Sequence, residues 1–255
     1  MILNYQIEQS VEQSDLEPIV LIHGLFGSLS NLGMLARSLN TKHAIIQVDV
    51  RNHGLSEHSD IMNYDVMAQD VLDTLNHLNI DNFSVIGHSM GGKICMKLAD
   101  IASERINKLV VLDIAPFAYR ESHHEQIFKA LFAVQEAAPP SRSQATVIMK
   151  QFIAEDAVIQ FLLKSFNQGQ WRFNLNAIYQ NYAEVLVWKD IKMYQKPVLF
   201  LRGGLSPYIQ KTEHFEAIQK QFSNAEVKEV MNAGHWLHAE KTDLVLLEIL
   251  NFIQA

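Results

Sequence analysis

The chain has 255 residues, of which 48% are hydrophobic, and this length and composition indicate a globular protein with one sizeable core. Its net charge of −7, without a block of lysine or arginine residues, argues against a nucleic acid or an anionic membrane as a partner. Cys95 is the only cysteine, and the amino terminus has no basic segment before an apolar run. No apolar run approaches the ~20 residues of a membrane span, so we expect a cytoplasmic protein without a membrane anchor. We expect either a monomer or a homodimer.

Short apolar runs alternate with helical periodicity over the first half of the chain. An edge strand or hairpin arm is predicted over residues 5–11. Continuous apolar runs are typical of strands buried on both faces of a parallel sheet, and they occur at residues 18–22, 44–49, 83–87 and 108–113. Helices are predicted at residues 30–39, 64–78 and 90–102. This alternation predicts an α/β fold with a mostly parallel central sheet and helices on both faces.

The strand pattern stops after residue 116 and resumes at residue 196. Amphipathic helical segments replace it, at residues 123–136, 143–153, 157–166 and 174–187, with a turn at residues 168–170. The insertion is far longer than an ordinary loop. We therefore expect a helical cap, or lid, at residues 117–188, inserted into a core formed by residues 1–116 and 189–255. The core is completed by predicted strands at residues 196–201 and 226–231, and by helices at residues 211–222 and from residue 244.

The sequence Gly87-His88-Ser89-Met90-Gly91 joins a predicted strand to a predicted helix. A GxSxG motif in this context is typical of a nucleophile elbow, a sharp turn that exposes a serine Oγ above the edge of a sheet. Glycine is expected at positions 87 and 91 because side chains there would crowd the strand-to-helix packing. Ser89 is the candidate nucleophile. The motif alone is also compatible with a glycine-rich turn that holds an incidental serine.

A serine nucleophile requires a base, an acid that orients the base, and donors for the developing oxyanion. In the chain order serine, acid, histidine, the base follows the last strand, where His235 lies. His238 is the rival. The backbone N–H groups of Met90 and Leu25 are the expected oxyanion donors, with Phe26 as the neighbouring alternative to Leu25.

The motifs HGLFGS, DVRNHGLS, GHSMGGK and AGHW occur in this order, with a helical insertion after the strand that ends at Asp113. They resemble the α/β-hydrolase superfamily over nearly the whole chain. LLKSF, GQWRFN and LDIAP are similar to the bacterial YbfF-type esterases, which are related to the mitochondrial abhydrolase-domain-11 proteins. The resemblance implies an α/β-hydrolase fold and a serine esterase or thioesterase. Such an enzyme hydrolyses small acyl esters or acyl-CoA thioesters through an acyl-enzyme, without a cofactor.

The position of the acid departs from the commoner superfamily pattern, in which an aspartate follows the strand before the last. Ser206 occupies that place here, and a serine cannot supply the negative charge that stabilises an imidazolium. We expect Asp113, at the end of the strand next to the elbow strand, to be the acid. Ser206 is then expected to hydrogen-bond the Asp113–His235 pair. Glu240 is the weaker competitor, and Asp113 could instead be a turn or helix-cap carboxylate.

Phe26, Trp171 and Trp236 are the candidates for the substrate pocket. Other cap aromatics could also line an acyl pocket, although most are expected to pack the cap against the core; these are Phe128, Phe132, Phe161, Phe166, Phe173, Tyr179 and Trp188. Four cap residues could meet a polar leaving group or be solvated, namely Arg120, His123, His124 and Arg172. The loop residues 49–53 are expected to tie loops together by hydrogen bonds and an ion pair.

Other functions remain open on the sequence. A hydrolase or lyase acting on carbon–carbon bonds could use the same three side chains, and a ligand-binding receptor of hydrolase ancestry could retain them. An epoxide hydrolase or a dehalogenase is disfavoured, because those relatives place aspartate where this chain has Ser89. No metal site is expected, since neither HExxH nor CxxC occurs and His123 and His124 point to different faces of a helix.

Overall fold

The structure is a computed structural model that describes residues 1–119 and 124–254. Strands and helices alternate over the first part of the chain, as the apolar runs predict. In chain order these elements are β1 (Tyr5–Glu8), β2 (Ile19–Ile22), α1 (Gly33–Leu39), β3 (Ile45–Val48), α2 (Tyr64–His77), β4 (Phe83–His88), α3 (Met90–Ile101) and β5 (Ile106–Leu112). Short 3-10 turns at Leu29–Leu32 and Ser103–Arg105 lead into α1 and β5.

The described residues between β5 and β8 add no strand to the large sheet. We call residues 124–188 the cap segment. Its elements are α4 (Glu125–Ala137), α5 (Arg142–Met149), α6 (Asp156–Leu163), β6 (Phe166–Asn167), β7 (Gln170–Trp171), α7 (Leu175–Gln180) and α8 (Tyr182–Leu186). The core then resumes with β8 (Val198–Gly203), α9 (Thr212–Gln221), β9 (Ala225–Val230), α10 (Leu237–Glu240) and α11 (Thr242–Gln254). The division into core and cap domains at residues 117 and 188 stays a prediction.

The described residues form a seven-stranded sheet in the order β1-β3-β2-β4-β5-β8-β9. Only β1 runs antiparallel to its neighbour, β3, and the other pairs are parallel. Side chains alternate between the two faces, so that Val20 and Ile22 of β2 pack with α2 and α3, whereas Ile19 and Leu21 pack with α1 and α11. The predicted α/β fold with helices on both faces is confirmed.

The cap segment differs from the sequence prediction in two places. The turn at residues 168–170 closes a short antiparallel hairpin, β6–β7, because Gln168 (φ 48°) and Gly169 (φ 83°) both adopt the positive φ that a two-residue hairpin turn requires. The helix predicted over residues 174–187 is broken at Asn181 into α7 and α8. The Asn181 side chain donates to the Asp60 carbonyl oxygen (2.8 Å) and accepts from the Met62 N–H (3.3 Å), which ties the break to the core.

Further hydrogen bonds hold the cap segment over the carboxyl edge of the sheet. Ser165 Oγ donates to the carbonyl oxygen of Phe26 (2.9 Å), and the Asn174 N–H donates to that of Asn52 (2.8 Å). The Tyr64 hydroxyl of α2 donates to the carbonyl oxygen of Val185 (2.8 Å). The space between cap and sheet is therefore bounded by residues from both. No helix within residues 1–119 and 124–254 has the length and apolar character to cross a membrane.

Candidate active site

Ser89 lies at the sharp turn between β4 and α3. Its backbone has φ 54° and ψ −117°, a strained conformation for a residue other than glycine. A Cβ on Gly91 would lie 2.2 Å from the Ile22 carbonyl oxygen, and one on Gly87 would lie 2.3 Å from the Gly91 carbonyl oxygen. The close approach of α3 to β2 and β4 therefore requires both glycines, as the motif predicts.

The side chains of Ser89, His235 and Asp113 form a continuous chain of hydrogen bonds. His235 Nε2 lies 2.9 Å from Ser89 Oγ, and His235 Nδ1 lies 2.7 Å from Asp113 Oδ2. Because the carboxylate can only accept, Nδ1 carries the proton and Nε2 accepts from the serine hydroxyl. The three residues follow β4, β5 and β9, and they meet at the carboxyl edge of the sheet, where ligands bind in parallel α/β folds.

Asp113 is fully buried and accepts from three donors. The Gly203 N–H donates to Oδ1 (2.8 Å), while Ser206 Oγ and His235 Nδ1 both donate to Oδ2. Ser206 thus contacts the carboxylate directly and does not replace it. Glu240 accepts from the Gly234 N–H (2.7 Å), so it holds the loop before His235 and does not touch the imidazole.

The two N–H groups predicted to stabilise an oxyanion remain available. The Phe26 N–H donates to His53 Nε2 (3.1 Å), and His53 Nδ1 donates in turn to the Arg51 carbonyl oxygen (2.9 Å). Burial lowers the pKa of His53 to about 3, so its imidazole is neutral and can accept this bond. Among the described residues, no backbone or side-chain atom accepts from the N–H groups of Leu25 and Met90. The geometry therefore favours Leu25 over Phe26.

Two buried histidines stand behind His235. His88 Nε2 donates to the His235 carbonyl oxygen (2.8 Å), and its ring centre lies 4.4 Å from that of His238. Burial lowers the pKa of His88 well below its ordinary value and that of His238 to about 3. His238 Nδ1 has no hydrogen-bond partner among the described residues, and Ser89 Oγ is bonded by His235 instead.

The loop at residues 49–53 ties neighbouring segments together, as predicted. Arg51 makes a bidentate ion pair with Asp70, through Nε (2.6 Å) and Nη2 (2.8 Å). Asp49 accepts from the N–H groups of Leu29 (2.7 Å) and Leu55 (2.9 Å). These bonds fix the loop that carries His53.

A cavity of about 740 Å³ opens above Ser89. One part of its wall is apolar and is formed by α6, the loop before it and Trp236. The residues of this part are Phe152, Ile153, Val158, Phe161, Leu162 and Trp236. Another part carries polar atoms, from Tyr64, Lys93, Tyr119, His124 and Tyr182. Phe26 lines the cavity as well. Its size and mostly apolar wall are typical of a small-molecule site.

Trp171 does not line this cavity, which corrects the sequence prediction. The hairpin β6–β7 turns its indole away, so that Nε1 donates to the Leu131 carbonyl oxygen (3.0 Å) and the ring stacks on Phe173 (5.1 Å between ring centres). Of the other cap aromatics considered above, only Phe161 lines the cavity. Arg172 is exposed outside it, His124 lines it, and Arg120 and His123 lie outside the described residues.

Two residues near Ser89 and His235 were not predicted from the sequence, namely Lys93 and Tyr208. Lys93 lines the cavity on α3, and the ring centre of Tyr208 lies 4.2 Å from that of His235. The spacing of Lys93, four residues after Ser89 on the predicted helix, could have placed it on the same helix face as the serine. Nothing in the sequence indicated the approach of Tyr208. Among the described residues, no group of histidine, cysteine, aspartate and glutamate side chains could hold a metal ion.

The sheet, the turn at Ser89 and the cavity above it define a hydrolase of the α/β-hydrolase class, and comparison with known proteins agrees. A profile of the family described as "alpha/beta hydrolase fold" matches residues 17–138. "Esterase YbfF" of Escherichia coli (strain K12) is 48% identical over 253 residues, which cover 99% of this chain and 99% of that protein. "sn-1-specific diacylglycerol lipase ABHD11" of Xenopus laevis is 38% identical over 250 residues, which cover 93% of this chain and 80% of that protein.

A solved structure, "Marine microorganism esterase", has a TM-score of 0.89 and 30% identity, and the match covers 98% of this chain and 99% of that one. The chain belongs to the α/β-hydrolase superfamily and, within it, groups with the bacterial YbfF-type esterases and their abhydrolase-domain-11 relatives. The resemblance carried by the sequence motifs is confirmed. The relatives are esterases and lipases, so the chain is a hydrolase of that broad class.

Proposed function

We propose that this protein is a serine esterase or thioesterase that hydrolyses acyl esters or acyl-CoA thioesters through an acyl-enzyme. The main support for the proposal is a pair of hydrogen bonds, one between Ser89 Oγ and His235 Nε2 (2.9 Å) and one between His235 Nδ1 and Asp113 Oδ2 (2.7 Å). The cytoplasmic location and the choice between monomer and homodimer stay predictions.

In the first half-reaction, Ser89 Oγ attacks the carbonyl carbon of the ester while His235 Nε2 takes the hydroxyl proton. The N–H groups of Leu25 and Met90 donate to the oxyanion of the tetrahedral intermediate. The intermediate then expels the alcohol or thiol, which leaves with the proton held on Nε2. Water, deprotonated by His235, attacks the acyl-enzyme, and the acid is released as Ser89 recovers its proton.

The carboxylate of Asp113 fixes the tautomer of His235 and stabilises the imidazolium that forms in each half-reaction. Its other two donors hold it in place, since the Gly203 N–H binds Oδ1 and Ser206 binds Oδ2. We assign Ser206 a positioning role, because it acts on Asp113 and does not contact the reacting atoms.

The apolar wall formed by α6 and Trp236 supports binding of an acyl chain. Phe161 and Trp236 contact each other there, with 5.4 Å between ring centres. An ester with an apolar acyl chain agrees with the names of the two relatives, an esterase and a diacylglycerol lipase.

Covalent labelling tests the proposal. The intact protein treated with a fluorophosphonate should gain the mass of one phosphonyl group, which peptide mapping should locate on Ser89. The variant Ser89→Ala should stay unlabelled. With a p-nitrophenyl ester, stopped-flow absorbance should show a burst of nitrophenol that matches the enzyme concentration. Label on another residue, or hydrolysis retained in Ser89→Ala, would contradict the proposal. Acyl esters and acyl-CoAs of graded length then compare the substrate classes.

A further inference from the structure

Lys93 lies in the wall of the cavity with only 1% of its surface exposed. It stands one turn after Ser89 on α3, and its backbone N–H donates to the Ser89 carbonyl oxygen (3.2 Å). Four residues correspond to about 6 Å of helix. Both residues line the same cavity, and their backbones are about one helical turn apart.

Aromatic rings surround the Lys93 ammonium. Its Nζ lies 5.2 Å from the ring centre of Tyr64, 5.1 Å from that of Tyr119 and 5.8 Å from that of Trp188. Such rings attract a cation, but they do not neutralise it. The hydroxyl of Tyr64 donates to a backbone carbonyl oxygen, as does that of Tyr119.

The hydrogen bonds of the ammonium are long. Nζ lies 3.4 Å from the carbonyl oxygen of Leu186 and 3.3 Å from that of Val187, whereas strong bonds from nitrogen to oxygen measure about 2.7–3.2 Å. Lys97, one turn further along α3, is different, because its Nζ lies 3.0 Å from Asp65 and 3.3 Å from Asp100.

Within residues 1–119 and 124–254, no carboxylate oxygen forms a salt bridge with Lys93. A buried cation without a counter-charge is costly, and burial accordingly lowers the pKa of Lys93 to about 7. A negatively charged group that entered the cavity would recover part of this cost, so the unpaired ammonium favours an anionic ligand.

We infer that Lys93 forms an anion subsite of the cavity, and that the preferred substrates are esters or thioesters that carry a carboxylate a few bonds from the scissile carbonyl. Lys93 is the only lysine or arginine in the described lining. One ammonium among aromatic rings supplies a single positive charge, which suits a monoanion at the end of an apolar chain. The carboxylate can belong to the acyl part or to the alcohol part of the ester.

Two pairs of esters, hydrolysed at a pH just below 7, distinguish these sources. The acyl-side pair is mono-p-nitrophenyl adipate and the matching carboxamide ester. The alcohol-side pair is 4-(carboxymethyl)phenyl butyrate and the matching carboxamide. In each pair the two esters differ only in charge, so the ratio of kcat/KM for carboxylate over carboxamide isolates the recognition of the anion.

In the wild-type protein we expect this ratio to exceed that in Lys93→Met by about tenfold or more for one pair, which identifies the source of the carboxylate. Lys93→Arg, which keeps the charge, should retain part of the preference. Lys97→Met is the matched control, since it removes a lysine from the same helix outside the cavity, and its ratio should equal the wild-type ratio.

Equal ratios in wild type and Lys93→Met for both pairs would overturn the inference. Lys93 would then have only a structural role, in which it hydrogen-bonds the carbonyl oxygens at residues 186–187 from α3. If Lys93→Met does not fold, inhibition of the wild-type protein by adipate and by adipamide replaces the comparison, and equal inhibition overturns the inference. The inference rests on the proposed esterase function. That function fails separately if neither ester of a pair is hydrolysed and Ser89 is not labelled.

Discussion

The carboxyl edge of the sheet and the cavity wall beneath the cap segment each contain a buried charge, but the two charges differ in their hydrogen-bond partners. At the sheet edge, Asp113 is fully buried but accepts from three donors, among them the His235 imidazole. In the cavity wall, Lys93 is equally buried, but within residues 1–119 and 124–254 its ammonium has aromatic rings and two long contacts to carbonyl oxygens and no carboxylate. A charge with short hydrogen bonds is held in one geometry, whereas a charge with long bonds and no opposite charge beside it is available to a ligand.

Asp113→Asn tests the sheet edge with the largest expected effect. The amide oxygen of asparagine can accept from His235 Nδ1, but the side chain has no negative charge to stabilise the imidazolium. The kcat on a chromogenic ester should therefore fall by about 10⁴-fold. Glu240→Gln is the control, because Glu240 contacts the Gly234 N–H and not the imidazole. Near-full activity in Asp113→Asn, or an equal loss in Glu240→Gln, would refute the assignment of the acid.

Ser206→Ala removes one of the three donors to Asp113. The carboxylate keeps its charge and its bonds to Gly203 and His235, so kcat should fall by only about tenfold to a hundredfold, the value of one hydrogen bond to a charged group. Ser223→Ala, an exposed serine at the end of α9, should leave kcat unchanged. A loss as large as that of Asp113→Asn would mean that Ser206 does more than position the acid.

The sheet edge also predicts a dependence of stability on pH. Burial lowers the pKa of His53 from 6.5 to about 3, so in this window the unfolded chain binds more protons than the folded one. The free energy of unfolding should therefore decrease as the pH is lowered from about 6.5 towards 3. His53 should contribute ~1.4 kcal/mol of this decrease per pH unit. His88 and His238 add to the same trend.

In His53→Gln, urea denaturation at several pH values should give a shallower slope, because glutamine can accept from the Phe26 N–H but does not titrate. The control is His77→Gln, at the exposed end of α2, which should keep the wild-type slope. An unchanged slope in His53→Gln would show that the imidazole is protonated in the folded protein.

Phe161→Ala tests the apolar part of the cavity wall and has the smallest expected effect. Each acyl CH₂ that loses its contact with the ring forfeits ~0.8 kcal/mol, so KM for long-chain esters should rise by about threefold to tenfold, with less change for short ones. Tyr179→Ala removes an exposed cap aromatic outside the cavity and should not change KM. Equal effects on long and short esters would place the acyl chain elsewhere.

The residues at the sheet edge could largely be predicted from the sequence. Apolar runs mark where buried strands end, so the positions of Ser89, Asp113 and His235 at one edge of the sheet followed from local pattern and from the family motifs. The sequence also placed Leu25 ahead of Phe26 as an oxyanion donor, but the physical reason was not visible in the local pattern, because His53 approaches the Phe26 N–H from another loop.

The cap segment was less predictable for the same reason. Its amphipathic helices could be recognised, but no local signal tells which aromatic faces the cavity. Trp171 turns away because a two-residue turn at Gln168 and Gly169 folds β6 and β7 into a hairpin. Lys93 lies on a helix whose residues are almost all buried, and the absence of a carboxylate beside it, within residues 1–119 and 124–254, is a property of the assembled cavity.

The rate of fluorophosphonate labelling at Ser89 tests the central claim most directly, because it reports activation of the nucleophile without knowledge of the substrate. Wild type, Ser206→Ala and Asp113→Asn are compared as purified proteins by intact mass over time. We expect fast labelling in wild type, a moderately slower rate in Ser206→Ala and a rate lower by orders of magnitude in Asp113→Asn. Labelling of Asp113→Asn at the wild-type rate would show that Asp113 does not activate Ser89 through His235.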